Sequence, residues 1–162
     1  AISNKQVSHL LLMSTNTELT IAVPQLQAVC HCGQVSLCII AAMPATITSC
    51  NCSVCHAYGH IMAYFKESEV TVTGDTDTYV HGDKMLAFHR CKNCGCHTHW
   101  KSIDETSESD RMGVNSRLLP RDILTQARVR HFDGYDTWAQ RDVEKPFVRQ
   151  DINCNCTVSD NI

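Results

Sequence analysis

Hydrophobic and polar positions alternate along the middle of the chain in short stretches with a period of two, which is the pattern of half-buried strands. Val35-Ser-Leu-Cys-Ile-Ile40 is β-rich, Pro44-Ala-Thr-Ile-Thr-Ser49 leads toward Cys50, Ile61-Met-Ala-Tyr-Phe65 is another apolar run, and Glu69-Val-Thr-Val-Thr73 alternates cleanly. Gly74-Asp75 reads as a turn, so Thr78-Tyr-Val-His81 and Leu86-Ala-Phe-His89 are expected to continue a meander from residues 69–73. Helix is scarce: one short turn is expected after Ser53 and another after Pro120, where proline suits a first turn. Ile103 to Asp110 is acidic and polar and reads as a solvated loop.

This patterning divides the chain into three parts. Residues 1–26 carry no cysteine and little periodicity and are expected to form an N-terminal extension. Met13-Ser-Thr-Asn-Thr resembles a native start, so residues 1–12 are expected to be an added or trimmed leader. Residues 27–139 hold the patterned domain, and residues 140–162 form a polar tail that ends with Cys154 and Cys156. The length of 162 residues suits one core, and 43% hydrophobic content is ordinary for a globular chain. A formal charge of −3 and the lack of a basic stripe argue against nucleic acid as a partner. No apolar run approaches membrane-spanning length, and the Leu10-Leu-Leu-Met13 run is too short for an export signal.

Cysteine changes the picture. Of the 11 cysteines, seven fall in three clusters: Cys30 with Cys32; Cys50, Cys52 and Cys55; and Cys91 with Cys94. Cysteines separated by one residue are badly placed to bridge each other but well placed to bind one ion together. The odd total prevents complete pairing within one chain, and many free thiolates suit a reducing compartment such as the cytosol. Zinc held by thiolates is therefore preferred to a disulfide scaffold.

Ordered along the chain, Cys30-x-Cys32-Gly33-x-Val35, Cys50-Asn-Cys52-Ser53-x-Cys55, Cys91-x-x-Cys94-Gly95, Val114-Asn115 and Phe132-Asp133-Gly134 resemble the glutathione-dependent formaldehyde-activating enzyme family, which also includes centromere protein V. The match spans about residues 29 to 135. The resemblance implies an all-β, tent-like fold of small antiparallel sheets with little helix and two zinc ions per chain. It places Cys30, Cys32, Cys91 and Cys94 at a structural zinc and Cys50, Cys52 and Cys55 at a catalytic zinc. It also implies carbon–sulfur lyase chemistry, joining formaldehyde to the thiol of glutathione to give S-(hydroxymethyl)glutathione.

Ligand counting leads to the same division. Four thiolates close a tetrahedron and do no chemistry, whereas three leave a position for water or substrate. A further ligand from Cys96, His56 or a tail cysteine would make both sites structural. Three thiolates more than neutralise a divalent ion, so a soft sulfur ligand or a polarised carbonyl is a more natural occupant than hydroxide. His56 and His99 are candidate proton carriers, with His89 and His97 also near cysteines in sequence. His97, His99 and Lys101 would share one face of a strand, with Thr98 and Trp100 on the other.

Asn115 reads as a polar anchor or a turn residue, Phe132-Asp-Gly-Tyr135 as a closing turn, and Cys38 as a small core residue. Arg90, Lys92, Arg111 and Arg117 are candidates to meet an anionic substrate. Two alternatives stand beside the lyase reading. One is a zinc Lewis-acid enzyme acting on a larger carbonyl or thioether metabolite in a specialised pathway. The other is a non-catalytic zinc module that binds a protein partner.

Overall fold

The structure, a computed structural model, describes residues 25–104 and 110–141. The extension over residues 1–26 and the tail over 140–162 lie almost wholly outside the described residues, as do Cys154 and Cys156. At their inner borders, Leu26 already belongs to the first strand and Gln140–Arg141 form the last.

Among the described residues, eleven strands build two sheets. The smaller is antiparallel and contains β1 (Leu26–Val29), β2 (Ser36–Ile39) and β5 (Val70–Thr73), with β2 in the centre. The larger runs in the order β11 (Gln140–Arg141), β10 (Arg128–Phe132), β3 (Thr46–Cys50), β4 (Met62–Phe65), β9 (Met112–Asn115), β8 (His97–Ser102), β7 (Leu86–Cys91), β6 (Thr76–Val80). Two short helices, α1 (Ser53–Tyr58) and α2 (Arg121–Leu124), complete the fold where the sequence placed helical turns.

The expected all-β architecture is present, with one difference: β10 pairs with β3 in parallel, Arg128 opposite Thr46 through Phe132 opposite Cys50. The period-two pattern explains the core. Leu26, Ala28, Leu37 and Ile39 turn inward from β1 and β2. They join Ile47, Ala63, Phe65, Met112, Val114 and Leu119 in one apolar cluster, whose removal from water is the main favourable term in folding. Cys38, expected in that core, lies half-buried between Leu37 and Ile39 and accepts a hydrogen bond from Gln25 Nε2 at 2.8 Å. Strand alternation puts it on the outer face.

The expected meander is also corrected. β5 pairs with β2 and β6 pairs with β7, so Gly74-Asp75 carries the chain from one sheet to the other. Gly74 has φ +100° and presses on the Gln34 carbonyl so closely that no Cβ fits. Only glycine combines that conformation with that approach.

Candidate metal centre

Two turns of nearly identical hydrogen bonding carry the first set of thiols. In one, Cys30 N donates to Val35 O at 2.9 Å and Gly33 N to Cys30 O at 3.0 Å. In the other, Cys91 N donates to Cys96 O at 2.9 Å and Gly95 N to Cys91 O at 2.9 Å. Gly33 and Gly95 take positive φ, 79° and 71°, so each chain folds back beneath its pair of sulfurs. The turns leave β1 and β7, and thus hold the two sheets together. Cys30 Sγ lies 3.6 Å from Cys32 Sγ, and Cys32 Sγ 3.6 Å from Cys91 Sγ. A tetrahedral zinc with Zn–S of about 2.3 Å has edges of about 3.8 Å. With Cys94, the four sulfurs lie within 4.8 Å of one another. This donor set suits a closed tetrathiolate zinc. Backbone N–H donation in the turn lowers the Cys94 thiol to about 5. At Cys91 the N–H of Cys94 favours the thiolate, yet burial and the neighbouring thiols carry it up to about 11. Cys96 supplies its carbonyl to the turn and lies outside the sulfur group.

The second set is built locally. Cys50 ends β3, Cys52 caps α1, and Cys55 sits one turn into that helix. Gly59, at φ 61°, ends α1 with its N–H on the carbonyls of Cys55 and His56. The sulfurs of Cys50, Cys52 and Cys55 lie within 4.8 Å of one another, and no histidine, carboxylate or fourth cysteine among the described residues joins them. The thiols of Cys50 and Cys55, followed by backbone N–H groups, donate to the Cys52 sulfur and hold it ionised, down to about 2. Those same contacts push Cys55 up, and the Cys52 thiolate pushes Cys50 up. Such a cluster holds negative charge even before an ion displaces the remaining protons, and its sulfur donors suit zinc.

The turn after β10 forms one wall of this trio, a role its sequence did not reveal. Asn51 N donates to Phe132 O at 3.2 Å, Asn51 Nδ2 to Asp133 Oδ1 at 2.8 Å, and Tyr135 N to Asn51 Oδ1 at 3.1 Å. Asp133 also accepts from Thr137 Oγ1 at 3.0 Å. Hydrogen bonding, chiefly from Asn51, holds its carboxyl below the usual range. The loop between Cys50 and Cys52 is therefore fixed by a segment more than 80 residues away in the chain.

His60 with His97 and His89 with His99 form two pairs rather than one strand face, with His60, His97 and His99 buried. A register shift pairs His89 with His99 and Arg90 with His97, making Thr98 the extra residue of a bulge that breaks the alternation. His97 Nδ1 then lies 2.9 Å from His60 Nδ1, with Tyr58 stacked on both rings. His99 stacks on His89 at 4.3 Å and hydrogen-bonds Thr98 Oγ1 at 2.9 Å. Burial lowers His60 to about 4 and His97 and His99 to about 3, so all three are neutral at pH 7. His56 stands beside Cys55 on α1, outside the sulfur group.

Among the cations singled out in the sequence, Arg90 pairs with Asp77 at 3.3 Å and Arg111 lies over the Tyr64 ring at 4.0 Å. Asn115 is a buried anchor, donating to His97 O at 2.8 Å and accepting from Arg117 N at 3.2 Å. The sequence alone does not single out Thr48, Tyr64 and Arg130. Arg130 Nε donates to Thr48 Oγ1 at 2.8 Å, and Tyr64 lies near enough to Thr48, Cys55 and Cys50 to feel each. Burial nonetheless dominates there and keeps the phenol protonated.

Residues 25–130, well over half of the chain, match the family model described as glutathione-dependent formaldehyde-activating enzyme. A Rhodobacter sphaeroides protein of known crystal structure, a structural genomics target, is 25% identical over 64% of this chain and 98% of its own, with a TM-score of 0.50. No curated protein matches the chain.

Proposed function

The chain belongs to the glutathione-dependent formaldehyde-activating enzyme family, and on that premise we propose that it is a zinc-dependent enzyme of carbon–sulfur lyase type, joining a thiol to an aldehyde carbon. The observation that carries the reading is the trio of Cys50, Cys52 and Cys55, gathered within 4.8 Å with no fourth ligand among the described residues. A three-ligand zinc centre supplies Lewis acidity and a position for a soft sulfur or a carbonyl oxygen. The chain's own residues do the rest. The Asn51–Asp133 clamp fixes the loop that bears the trio, and so the geometry in which the two reactants meet. In the addition, a bond forms from sulfur to the aldehyde carbon, the C=O π pair moves to oxygen, and the thiol proton ends on that oxygen.

His56, beside Cys55, is the proposed proton carrier. His99 is the weaker candidate, because His89 and Thr98 account for its packing. The Cys30, Cys32, Cys91 and Cys94 set is proposed as the structural zinc, giving two ions per chain, and the reducing cytoplasm as the setting. No helix among the described residues is long and apolar enough to cross a membrane.

The exposed rings beside the trio favour a second reading, a larger carbonyl or thioether substrate. Trp138 is 73% and Tyr135 48% exposed, and Trp138 stands edge-on to Phe132, the cross-strand partner of Cys50. Incubating the zinc-loaded protein with formaldehyde and glutathione, and following the S-hydroxymethyl adduct by NMR, separates the two. Accelerated adduct formation that disappears in Cys52→Ser supports the first. Equal rates with and without protein would overturn it in favour of the second.

A further inference from the structure

Arg130 is half-buried, and no carboxylate lies within 4 Å of it among the described residues, whose two ion pairs are Arg90–Asp77 and Lys101–Glu67. A cation partly withdrawn from water with no counter-charge beside it is well placed to take an anion from elsewhere. Its orientation is set: Nε is used on Thr48 Oγ1, a side chain only 2% exposed, which leaves the terminal nitrogens of the fork available.

Sheet register places this fork beside the trio. In the parallel pair of β10 and β3, Arg130 stands opposite Thr48 and Phe132 opposite Cys50. Residues two apart share a face, so Arg130 and Thr48 stand on the same side of the sheet as Cys50, one backbone repeat of about 7 Å along the strand. Tyr64, with Arg111 over its ring at 4.0 Å, borders the same area. Charge supplies a reason for the arrangement. A divalent ion with three thiolates carries a net negative charge and repels an anionic substrate, unless a fixed cation nearby offsets it.

We propose that Arg130, seated on Thr48 beside Tyr64, anchors the carboxylate of a thiol or carbonyl substrate whose reacting end reaches Cys50, Cys52 and Cys55. The inference rests on the three-thiolate reading and narrows its substrate to the class of carboxylate-bearing small molecules with several bonds between carboxylate and reacting atom. Arg130 is a specificity-determining residue in this scheme, and the fork provides two parallel hydrogen bonds to a planar carboxylate.

The test uses the full chain with cobalt in place of zinc, titrated with 6-mercaptohexanoate and with 6-mercaptohexanol, which differ in charge at the far end. The thiolate-to-cobalt absorption reports sulfur binding. Wild type is expected to bind the acid about tenfold tighter than the alcohol, in keeping with a charge-assisted bidentate contact. Arg130→Gln should bring the two affinities together, and Arg130→Lys should keep part of the difference. No preference in wild type, or one that survives Arg130→Gln, overturns the anchor while the three-thiolate reading stands. If neither thiol perturbs the cobalt in a chain holding two ions, that reading falls and the anchor with it. Should Arg130→Gln fail to hold two ions, Thr48→Val carries the test: it removes the seat but keeps the charge, and an unchanged preference overturns the proposal.

Discussion

Gly134 lies against Cys50 so closely that a Cβ on it would sit 2.6 Å from the Cys50 sulfur and 3.2 Å from the Cys52 Cβ. Gly134→Ala must therefore move either the wall or the trio. We expect the ion at Cys50, Cys52 and Cys55 to be bound at least about tenfold more weakly, given the tight tolerance of ligand shells. The tetrathiolate ion should be unaffected. Competition with a chromophoric chelator, counting ions released per chain, checks this; two ions held as firmly as in wild type would contradict it.

Cys94→Ser and Cys52→Ser should behave differently. The first opens the staple between the two sheets and is expected to cost several kcal/mol, on the order of a structural zinc's contribution to folding. The second removes one ligand from a local loop and should leave strand content and most of the stability in place while lowering metal content from two ions to one. Thermal melts by circular dichroism, with metal analysis on the same samples, distinguish them; equal losses of stability would contradict the division of roles.

His99 should make stability depend on pH. Burial lowers its folded value to about 3, whereas it titrates near 6.5 once unfolded. The unfolded chain therefore binds the proton first. The stabilising contribution is complete above about pH 6.5 and is lost as the pH falls toward 3, at up to about 1.4 kcal/mol per pH unit. His99→Phe, which keeps a ring on His89, should flatten the slope of unfolding free energy by up to about one proton between pH 6.5 and 5. Urea titrations at several pH values test this, and parallel slopes would refute it.

Gly113 supports the ring of Trp100, whose Nε1 lies where a Cβ would stand. Trp100 in turn packs on Tyr64 at 5.9 Å. Gly113→Ala is expected to destabilise by about 1–3 kcal/mol, the usual range for overpacking, and to change tryptophan fluorescence. An unaltered spectrum and melting temperature would show that the ring can shift freely.

Much of this was legible in the chain, and the exceptions share a cause. Alternation revealed β2 and β5, whose inward residues pack on the core, an apolar run revealed β4, and the spacing of Cys50, Cys52 and Cys55 revealed a group of sulfurs able to hold an ion because all three lie on one short segment. The four-cysteine set was also accessible, since two turn signatures each carry half of it. Pairings between distant segments were not. Arg130 meets Thr48 across 82 residues, and Asn51 meets Asp133 across the same separation. Nothing in Arg128-Val-Arg130 announces a parallel partner. The bulge at Thr98 likewise sends His97 and His99 into separate stacks through a one-residue slip that side-chain chemistry does not encode.

The parallel seam between β3 and β10 also dictates an order of assembly on the ribosome. Every sulfur of the staple has emerged once Cys94 is out, and the three local thiols of residues 50–55 are out earlier still. The strand and turn that immobilise them, Arg128–Phe132 and Gly134, arrive dozens of residues later. A nascent chain halted between those points would carry the loop of Cys50, Cys52 and Cys55 without its wall, so the contact that braces the three sulfurs waits until β10 and the turn after it have been made.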